Sequence, residues 1–228
     1  MTTEITWLGH GSWLIRTGGK NVLLDPFLDE NPAAPVKAAD VDADVILVSH
    51  GHFDHVADVA SIANRTGAKV VAIYEIADWF GSQHGVQDTV GMNIGGGVDL
   101  EIGRVKMTLA HHSSRLPDGS GGGNPCGFLL TLDDGKVYFA CDTGLFYDMK
   151  LIGSTGIDLA VLPIGDLFTM GPDDALEAVK LIEPKRVVPD HYNTWPPIEQ
   201  HANAWAERVR SETAAEPIVI EPGGKVTL

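Results

Sequence analysis

Six consecutive residues carry the densest group of potential metal ligands in the sequence. The motif His50-Gly-His52-Phe-Asp54-His55 places three imidazoles and one carboxylate directly after an apolar run. Imidazole nitrogens and carboxylate oxygens are the donors that zinc and related divalent ions take in proteins. The motif therefore predicts a metal site on a loop between a buried strand and a helix.

Further candidate ligands stand just past other β-prone runs. His111 and His112 follow one such run, Asp142 follows a second and His191 follows a third. Six adjacent residues cannot surround two metal ions, so a two-metal site needs donors from elsewhere in the chain. Because the strands of a sandwich deliver side chains to one rim, we expect these residues to meet the motif there.

The periodicity of the apolar residues predicts the elements that must position these side chains. Strands are expected at 5–8, 12–17, 21–25, 44–49, 69–74, 104–110, 127–132, 136–141, 159–163, 186–189, 218–220 and 226–228. Helices are expected from Val56 to a C-cap at Gly67, over 173–182 and over 198–213. Two β-rich halves, each followed by helices, predict an α/β fold in which one domain over residues 1–228 forms a four-layer α/β/β/α sandwich.

Charge and composition exclude several classes of partner. The 228 residues include 31 acidic and 16 basic side chains, for a net charge of −15. This field repels nucleic acid and anionic membranes, so we expect neither as a partner and disfavour a nuclease. The sequence opens with no basic, apolar leader and contains no run near the roughly 20 apolar residues of a membrane span, which predicts a cytoplasmic protein. Cys126 and Cys141 are then expected to be structural thiols.

The order of the motifs resembles a known superfamily. The succession Leu24-Asp25-Pro26, the motif of residues 50–55, His112-Ser113-Ser114, Asp142-Thr143-Gly144 and His191 resembles the metallo-β-lactamase superfamily across nearly the whole chain. Within it, Trp7-Leu8-Gly9-His10, the segment 163–171 and His191-Tyr192-Asn193-Thr194-Trp195-Pro196 resemble the UPF0173 metal-dependent hydrolases. The resemblance implies the metallo-β-lactamase fold and hydrolase activity.

The resemblance also implies a set of ligands for two divalent metal ions. The first ion would be held by His50, His52 and His112, the second by Asp54, His55 and His191, and Asp142 would bridge both. Zinc is the expected ion, with manganese, nickel and iron as alternatives.

Two positions leave a question open. Either His111 or His112 could be the third ligand of the first ion. We prefer His112 because it directly precedes Ser113 and Ser114. Cys141 stands where we expect glycine; strand alternation directs it away from Asp142 and favours packing, with a role for its sulfur at the site as the alternative.

Several other residues are candidates for supporting roles. Asp25 could orient a ligating histidine or brace the motif loop. His10 could act as a substrate contact or proton donor, with a structural role as the alternative. Asp166, Thr169 and Asn193 belong to segments expected to line the pocket.

The predicted chemistry is hydrolysis by a metal-bridged hydroxide that Asp54 holds in place. The substrate would be a small molecule with an ester, lactone, amide or phosphodiester bond, and the cationic site would attract an anionic group. The alternatives are a mononuclear iron oxygenase acting on a sulfur compound and a non-catalytic metal-binding module. A Ser-His-Asp arrangement through Ser113 or Ser114 is disfavoured because neither lies in a Gly-x-Ser-x-Gly elbow. The sequence leaves the oligomeric state open.

Overall fold

Two mixed β-sheets form the centre of the protein, whose computed structural model describes residues 2–228. The first sheet has the strand order β14-β1-β2-β3-β4-β5-β6 and the second the order β13-β12-β11-β10-β9-β8-β7. The strands of the first sheet are β1 (Glu4–Trp7), β2 (Trp13–Thr17), β3 (Lys20–Leu24), β4 (Val45–Leu47), β5 (Lys69–Ile73), β6 (Thr89–Met92) and β14 (Lys225–Thr227). The strands of the second are β7 (Gly97–Leu100), β8 (Gly103–Leu109), β9 (Cys126–Leu132), β10 (Gly135–Phe139), β11 (Leu159–Pro163), β12 (Arg186–Asp190) and β13 (Glu216–Pro217).

Six α-helices and two short 3₁₀ helices accompany the sheets. The α-helices are α1 (Phe53–Val56), α2 (Val59–Thr66), α3 (Tyr74–His84), α4 (Met149–Gly153), α5 (Pro172–Ile182) and α6 (Ala202–Glu212), and the 3₁₀ helices are Ala38–Asp40 and Pro196–Ile198. Helices α2 and α3 contact strand β5 of the first sheet, and α6 contacts α5 and strand β13 of the second. The predicted four-layer α/β/β/α sandwich is confirmed. None of the helices in residues 2–228 is both long and apolar enough to cross a membrane.

The direction of the strands explains why the candidate ligands meet. Strands β3, β4 and β5 are parallel neighbours, and so are β10, β11 and β12. Strand β8 also runs with β10, because both are antiparallel to β9. The carboxyl ends of parallel strands lie at the same edge of a sheet, and ligands of open α/β sheets bind there. Each candidate ligand outside the motif follows one of these carboxyl ends.

The predicted helix after the motif is divided in two. Helix α1 ends at Val56, α2 begins at Val59, and Asp58 stands between them. Its backbone N–H donates to Pro26 O at 3.1 Å, and its carboxylate accepts from the backbone N–H of Leu28 at 2.6 Å. These bonds tie the break to the segment after β3. Gly67 ends α2 with a φ of 74°, which confirms the expected C-cap.

The C-terminal region departs from the sequence prediction at two places. The helix expected over 198–213 begins only at Ala202. Asn193 accounts for the delay, since its N–H donates to Ile198 O at 2.9 Å and its Oδ1 accepts from Gln200 N at 2.7 Å, which holds 198–200 in a closed loop. Residues 218–220, all described by the structure, form no strand; pairing with β12 is confined to Glu216–Pro217 and one bond from Ile218 N to Val187 O.

Several elements have no counterpart in the prediction, among them strands β6 and β7 and helix α4. Except for the buried Met92, the residues of strands β6 and β7 are exposed or half-buried and form no continuous apolar run, and β6 includes Gly91. Helix α4 spans only five residues. Short, weakly apolar segments give little periodic signal, because tertiary pairing stabilises them.

A buried indole hydrogen bond joins the two sheets beneath the candidate site. Trp13 Nε1 of β2 donates to Asp190 Oδ2 of β12 at 2.9 Å, and both side chains are buried. Burial raises the pKa of Asp190 to about 7. The carboxyl group therefore depends on the few partners that it has inside the core.

We expect Trp13→Phe to lower the free energy of unfolding by about 1–3 kcal/mol, because it leaves a buried carboxyl oxygen without its donor. Urea unfolding followed by circular dichroism measures the change. Trp79→Phe is the matched control, since it removes an indole hydrogen bond of 2.7 Å to the exposed Asp118, and we expect it to cost less than about 0.5 kcal/mol. Equal losses in the two variants would contradict the role of the buried bond.

Candidate metal centre

The motif loop leaves strand β4 and enters helix α1 within a few residues. His52 is the N-cap of α1, so Asp54 and His55 lie in the first turn of that helix. The loop passes close to the glycine pair around His10: a Cβ atom at Gly11 would lie 2.9 Å from His55 Cε1. Glycine is needed there because the His55 ring occupies that space.

Three imidazoles form the first set of donors. His50 Nε2 lies 2.9 Å from His52 Nδ1, and His112 Nε2 lies 3.2 Å from the same atom. His50 is fully buried, whereas His52 and His112 are half-buried. A single proton can satisfy only one pair of nitrogens, while a cation between the three rings would satisfy all of them.

A second set of donors lies on the other side of His50. Asp54, His55 and His191 belong to one group whose ligand atoms all lie within 4.8 Å of one another, and His10 is its fourth member. His55 Nε2 is 3.8 Å from Asp54 Oδ2, and the rings of His55 and His191 stack at 5.7 Å.

Asp142 lies between the two sets. Its Oδ2 is 4.0 Å from His50 Nε2 and 3.6 Å from His112 Nε2. The same oxygen is 3.1 Å from His191 Nε2, and Oδ1 is 3.5 Å from His55 Nε2. One buried carboxylate thus reaches ring nitrogens of both sets.

The structure brings His112 to the cluster and leaves His111 outside it. His111 is exposed, and its ring packs 5.2 Å from the ring of Phe146. Its backbone N–H donates to Thr143 Oγ1 at 2.9 Å, which fixes the chain so that the next residue turns toward Asp142.

Asp25 braces both the histidines and the loop that carries them. Its Oδ2 is 2.9 Å from His55 Nδ1, and its Oδ1 accepts from Ser49 N at 2.7 Å. The Ser49 hydroxyl donates to Asp25 and lies 2.9 Å from His50 Nδ1. Protons on the Nδ1 atoms of His50 and His55 leave both Nε2 lone pairs facing the centre. An oxygen of Asp25 also lies within 4.8 Å of ring nitrogens of His50 and His55, close enough for the three residues to share a metal ion. However, the Asp25 oxygens already accept hydrogen bonds from three donors.

His10 lies behind Asp54 and away from the pocket. Its ring is fully buried, with Nε2 2.9 Å from Asp54 Oδ2 and Nδ1 2.9 Å from Thr194 Oγ1. Burial and the charge of His191 lower the pKa of His10 to about 3. A neutral ring can donate from Nε2 to Asp54 while accepting the Thr194 hydroxyl at Nδ1. His10 is not among the residues that line the pocket over the cluster.

The electrostatics of the cluster fit bound cations. Burial opposes protonation of His55, yet the carboxylates of Asp142 and Asp25 outweigh it and raise the pKa of this residue well above its usual value. Burial opposes ionisation of Asp142, but His191 and His55 hold its pKa well below the usual range. Buried carboxylates and imidazoles packed in this way favour positive charge between them.

Buried histidine nitrogens without a hydrogen-bond partner also indicate that the cluster fits bound cations. Within residues 2–228, the buried nitrogens without a hydrogen-bond partner include His55 Nε2 and both ring nitrogens of His191. The 3.1 Å approach of His191 Nε2 to Asp142 lacks the geometry of a hydrogen bond. Buried polar groups are nearly always satisfied, so His55 Nε2 and His191 Nε2, which both face Asp142, fit the role of metal ligands.

A pocket of about 610 Å³ opens directly over the cluster. It is lined by His52, Phe53, Asp54, His112, Ser113, Asp142, Leu167, Phe168, His191 and Trp195. The predicted lining residues Asp166, Thr169 and Asn193 are not among them. Asp166 and Asn193 are exposed and have left-handed backbones, and Thr169 donates its hydroxyl to Met170 O. These three residues shape the loops, and their neighbours reach the pocket.

The two serines after His112 support the loop and form no catalytic triad. Ser113 Oγ lies 3.3 Å from His52 Nε2, but the other nitrogen of that ring faces His50, where a triad requires a carboxylate. Ser114 Oγ accepts from Gly51 N at 3.1 Å and so holds the motif loop.

Cys141 also lies outside the ligand sets. Strand β10 ends at Phe139, so strand alternation does not reach Cys141, contrary to the argument from the sequence. Its backbone has a φ of 54°, the conformation that favours glycine, which explains why glycine is expected there. Within residues 2–228, no group of potential metal ligands includes a cysteine.

Ser49, Phe53 and Thr194 contribute to the site without having been singled out from the sequence. Ser49 directly precedes the motif, and Thr194 lies in the His-Tyr-Asn-Thr segment that the sequence does highlight. Their positions next to candidate ligands were the available signal. Hydroxyl groups are too common beside any motif for that signal to be specific.

Comparison with known proteins places this geometry in a family. A family model described as a beta-lactamase superfamily domain matches residues 20–192. A UPF0173 metal-dependent hydrolase of Pelotomaculum thermopropionicum is 48% identical over 230 residues, covering 99% of this chain and 100% of that protein. Its counterpart in Thermus thermophilus is 47% identical over 220 residues and covers 96% of each. The structure of Igni18, described as a novel metallo hydrolase from Ignicoccus hospitalis, matches with a TM-score of 0.90 at 36% identity, covering 100% of this chain and 99% of that one.

We expect His191→Ala to lose about one equivalent of metal per chain, because the second set of donors falls from three to two protein ligands before Asp142 is counted. Elemental analysis of protein dialysed against buffered zinc measures the stoichiometry. His201→Ala is the matched control, since His201 is exposed and outside the cluster. Unchanged stoichiometry in His191→Ala would remove this residue from the centre.

We expect Asp25→Asn to weaken metal affinity by about 10- to 100-fold while leaving the ligands in place. The Ser49 N–H, the Ser49 hydroxyl and the His55 Nδ1–H all donate to Asp25, whereas an amide has only one acceptor oxygen. Competition with a zinc chelator gives the affinity, and Asp133→Asn in an exposed turn is the control. Equal affinities in the two variants would show that Asp25 does not orient the ligands.

Proposed function

The chain belongs to the metallo-β-lactamase superfamily, and within it to the UPF0173 metal-dependent hydrolases, and on that premise we propose that it hydrolyses an ester, lactone, amide or phosphodiester bond of a small molecule at two divalent ions. The observation that carries this proposal is the position of Asp142, whose oxygens lie 3.1–4.0 Å from ring nitrogens of both donor sets. A carboxylate with two oxygens can bridge two ions, which is the arrangement that two-metal hydrolases use.

The proposed ligand assignment follows the two sets. His50, His52 and His112 would hold one ion, Asp54, His55 and His191 the other, and Asp142 both. Nitrogen-rich donors of this kind suit zinc and also accept manganese, nickel or iron. When bound, such ions lower the pKa of water and stabilise negative charge that develops on the bond being hydrolysed.

Asp54 is the residue proposed to hold the attacking water. Its side chain is partly exposed to the pocket, and its Oδ2 already accepts from His10. Burial opposes its ionisation, but the hydrogen bond from His10 and the charge of His55 keep the pKa of Asp54 well below its usual value. A carboxylate that stays ionised at neutral pH, with Oδ1 left to accept, can orient a water for attack.

His10 is proposed to act through Asp54 as a positioning residue. It is held on one side by Thr194 and presents one N–H to Asp54 on the other. Because the ring is buried and neutral, it fixes the direction of the carboxylate without adding a charge to the site.

The two-ion hydrolase is favoured over the alternatives. A single iron, as in a mononuclear oxygenase, would occupy one donor set and leave ring nitrogens of the other set buried without partners. A non-catalytic metal-binding module would have no use for a pocket of about 610 Å³ directly over the ligands. Iron content together with oxygen uptake would reverse this order.

We expect Asp54→Ala to lower kcat by about 100-fold or more, because the attacking water loses the group that orients it. Zinc-loaded protein would be assayed on 4-nitrophenyl acetate, a γ-lactone, an aryl amide and bis(4-nitrophenyl) phosphate, with metal content measured on the same samples. Asp78→Ala, in an exposed turn of α3, is the control. Full activity in Asp54→Ala would contradict the proposed geometry, and the absence of hydrolysis in fully loaded wild type on all four substrates would contradict the proposed function.

A further inference from the structure

The wall of the pocket over the metal centre is built from unusually exposed apolar side chains. Phe53 is 46% exposed, Leu167 is 65% exposed and Phe168 is 53% exposed. Within residues 2–228 the structure has six large apolar side chains exposed to this degree, and three of them line this one pocket. Contiguous exposed apolar surface of this kind marks a binding site.

We propose, resting on the hydrolase function above, that this pocket binds an uncharged substrate whose aliphatic or aromatic group packs against Phe53, Leu167 and Phe168 while the bond to be cleaved lies over the metal centre. The volume of about 610 Å³ is in the range that holds small organic ligands.

The loop that carries Leu167 and Phe168 is fixed relative to the centre. Asp166 N donates to Met170 O at 3.0 Å, and Met170 N donates to Thr143 O at 2.9 Å, one residue from Asp142. Asp166 and Leu167 have φ values of 63° and 32°, a region that a branched side chain such as leucine rarely adopts. A strained backbone that holds apolar side chains out toward solvent is typical of a ligand-binding segment.

The charge of the lining favours an uncharged ligand. Among the described residues, no lysine or arginine lines the pocket, and its formal charges belong to Asp54 and Asp142 at the base. A carboxylate or phosphate group outside the reacting bond would therefore lose its hydration without gaining a cationic partner. The lining thus favours substrates that are uncharged outside the bond to be cleaved, in place of the anionic group expected from the charge of the metal site.

A second groove continues the apolar surface. Phe53 also lines a cavity of about 560 Å³ with Val56, Ala60 and Trp79. The indole of Trp79 is held by its 2.7 Å hydrogen bond to Asp118. A chain too long for the first pocket can follow Phe53 into this groove, so affinity should rise with chain length.

Binding of a ligand that cannot be hydrolysed tests the inference separately from catalysis. The probe is 4-nitrophenyl hexyl ether, and the charged comparison is 6-(4-nitrophenoxy)hexanoate, which adds a terminal carboxylate. Equilibrium dialysis would be carried out with metal-free and zinc-loaded protein. We expect the ether to bind both forms and to bind at least about tenfold more tightly than the acid to the metal-free form, where no ion can attract the carboxylate.

The double variant Leu167→Ser and Phe168→Ser should weaken ether binding by at least about tenfold. Tyr147→Ser is the control, because Tyr147 is 73% exposed and lies outside the pocket. In catalysis, kcat/KM should rise from 4-nitrophenyl acetate through butyrate to octanoate in wild type, and this rise should be lost in the double variant.

Two results would overturn the inference: equal or tighter binding of the acid by metal-free protein, or ether binding that the double variant leaves unchanged. Loaded wild type that binds the ether but hydrolyses none of the four substrates named above would instead overturn the proposed function, and the binding site would stand.

Discussion

Burial of one carboxylate among imidazoles is the constraint on which the site depends. Asp142 is 4% exposed and faces four histidine rings, while a second carboxylate, Asp25, lies on the far side of two of them. Such a group of charges and lone pairs is costly to bury unless cations complete it. The fold meets this requirement by bringing the carboxyl ends of β4, β8, β10 and β12 to one edge, so that no single segment has to supply the ligands.

The surrounding contacts determine which atoms face inward. Asp25 and Ser49 hold the Nδ1 sides of His50 and His55, and Thr194 and His10 hold Asp54. These partners come from the ends of different strands, so His55 and Asp54 are each oriented by a residue distant in sequence. The Trp13 to Asp190 bond lies one residue from His191 and links the same edge to the core. Geometry at the centre and stability of the sandwich are thus coupled.

The sequence was informative where residue type and periodicity coincide. Candidate ligands such as His55 and His191 are rare residues placed just past buried strands, so motif and pattern together predicted both the fold and the residues that converge. That residues 1–228 form one domain stays a prediction. The pocket wall was predicted only in outline. The segment that contains Asp166 and Thr169 was expected to line it, but the side chains that do so are its apolar Leu167 and Phe168. The choice of His112 over His111 likewise depends on one backbone bond to Thr143.

The central feature of the proposed site is a pair of metal ions that share the carboxylate of Asp142. The most direct test is a crystal structure of metal-loaded protein with anomalous data collected on both sides of the metal absorption edge. We predict two anomalous peaks about 3.5–4 Å apart, one beside His50, His52 and His112 and one beside Asp54, His55 and His191, with Asp142 between them. A single fully occupied peak in protein saturated with metal, or a peak that Asp142 does not contact, would contradict it.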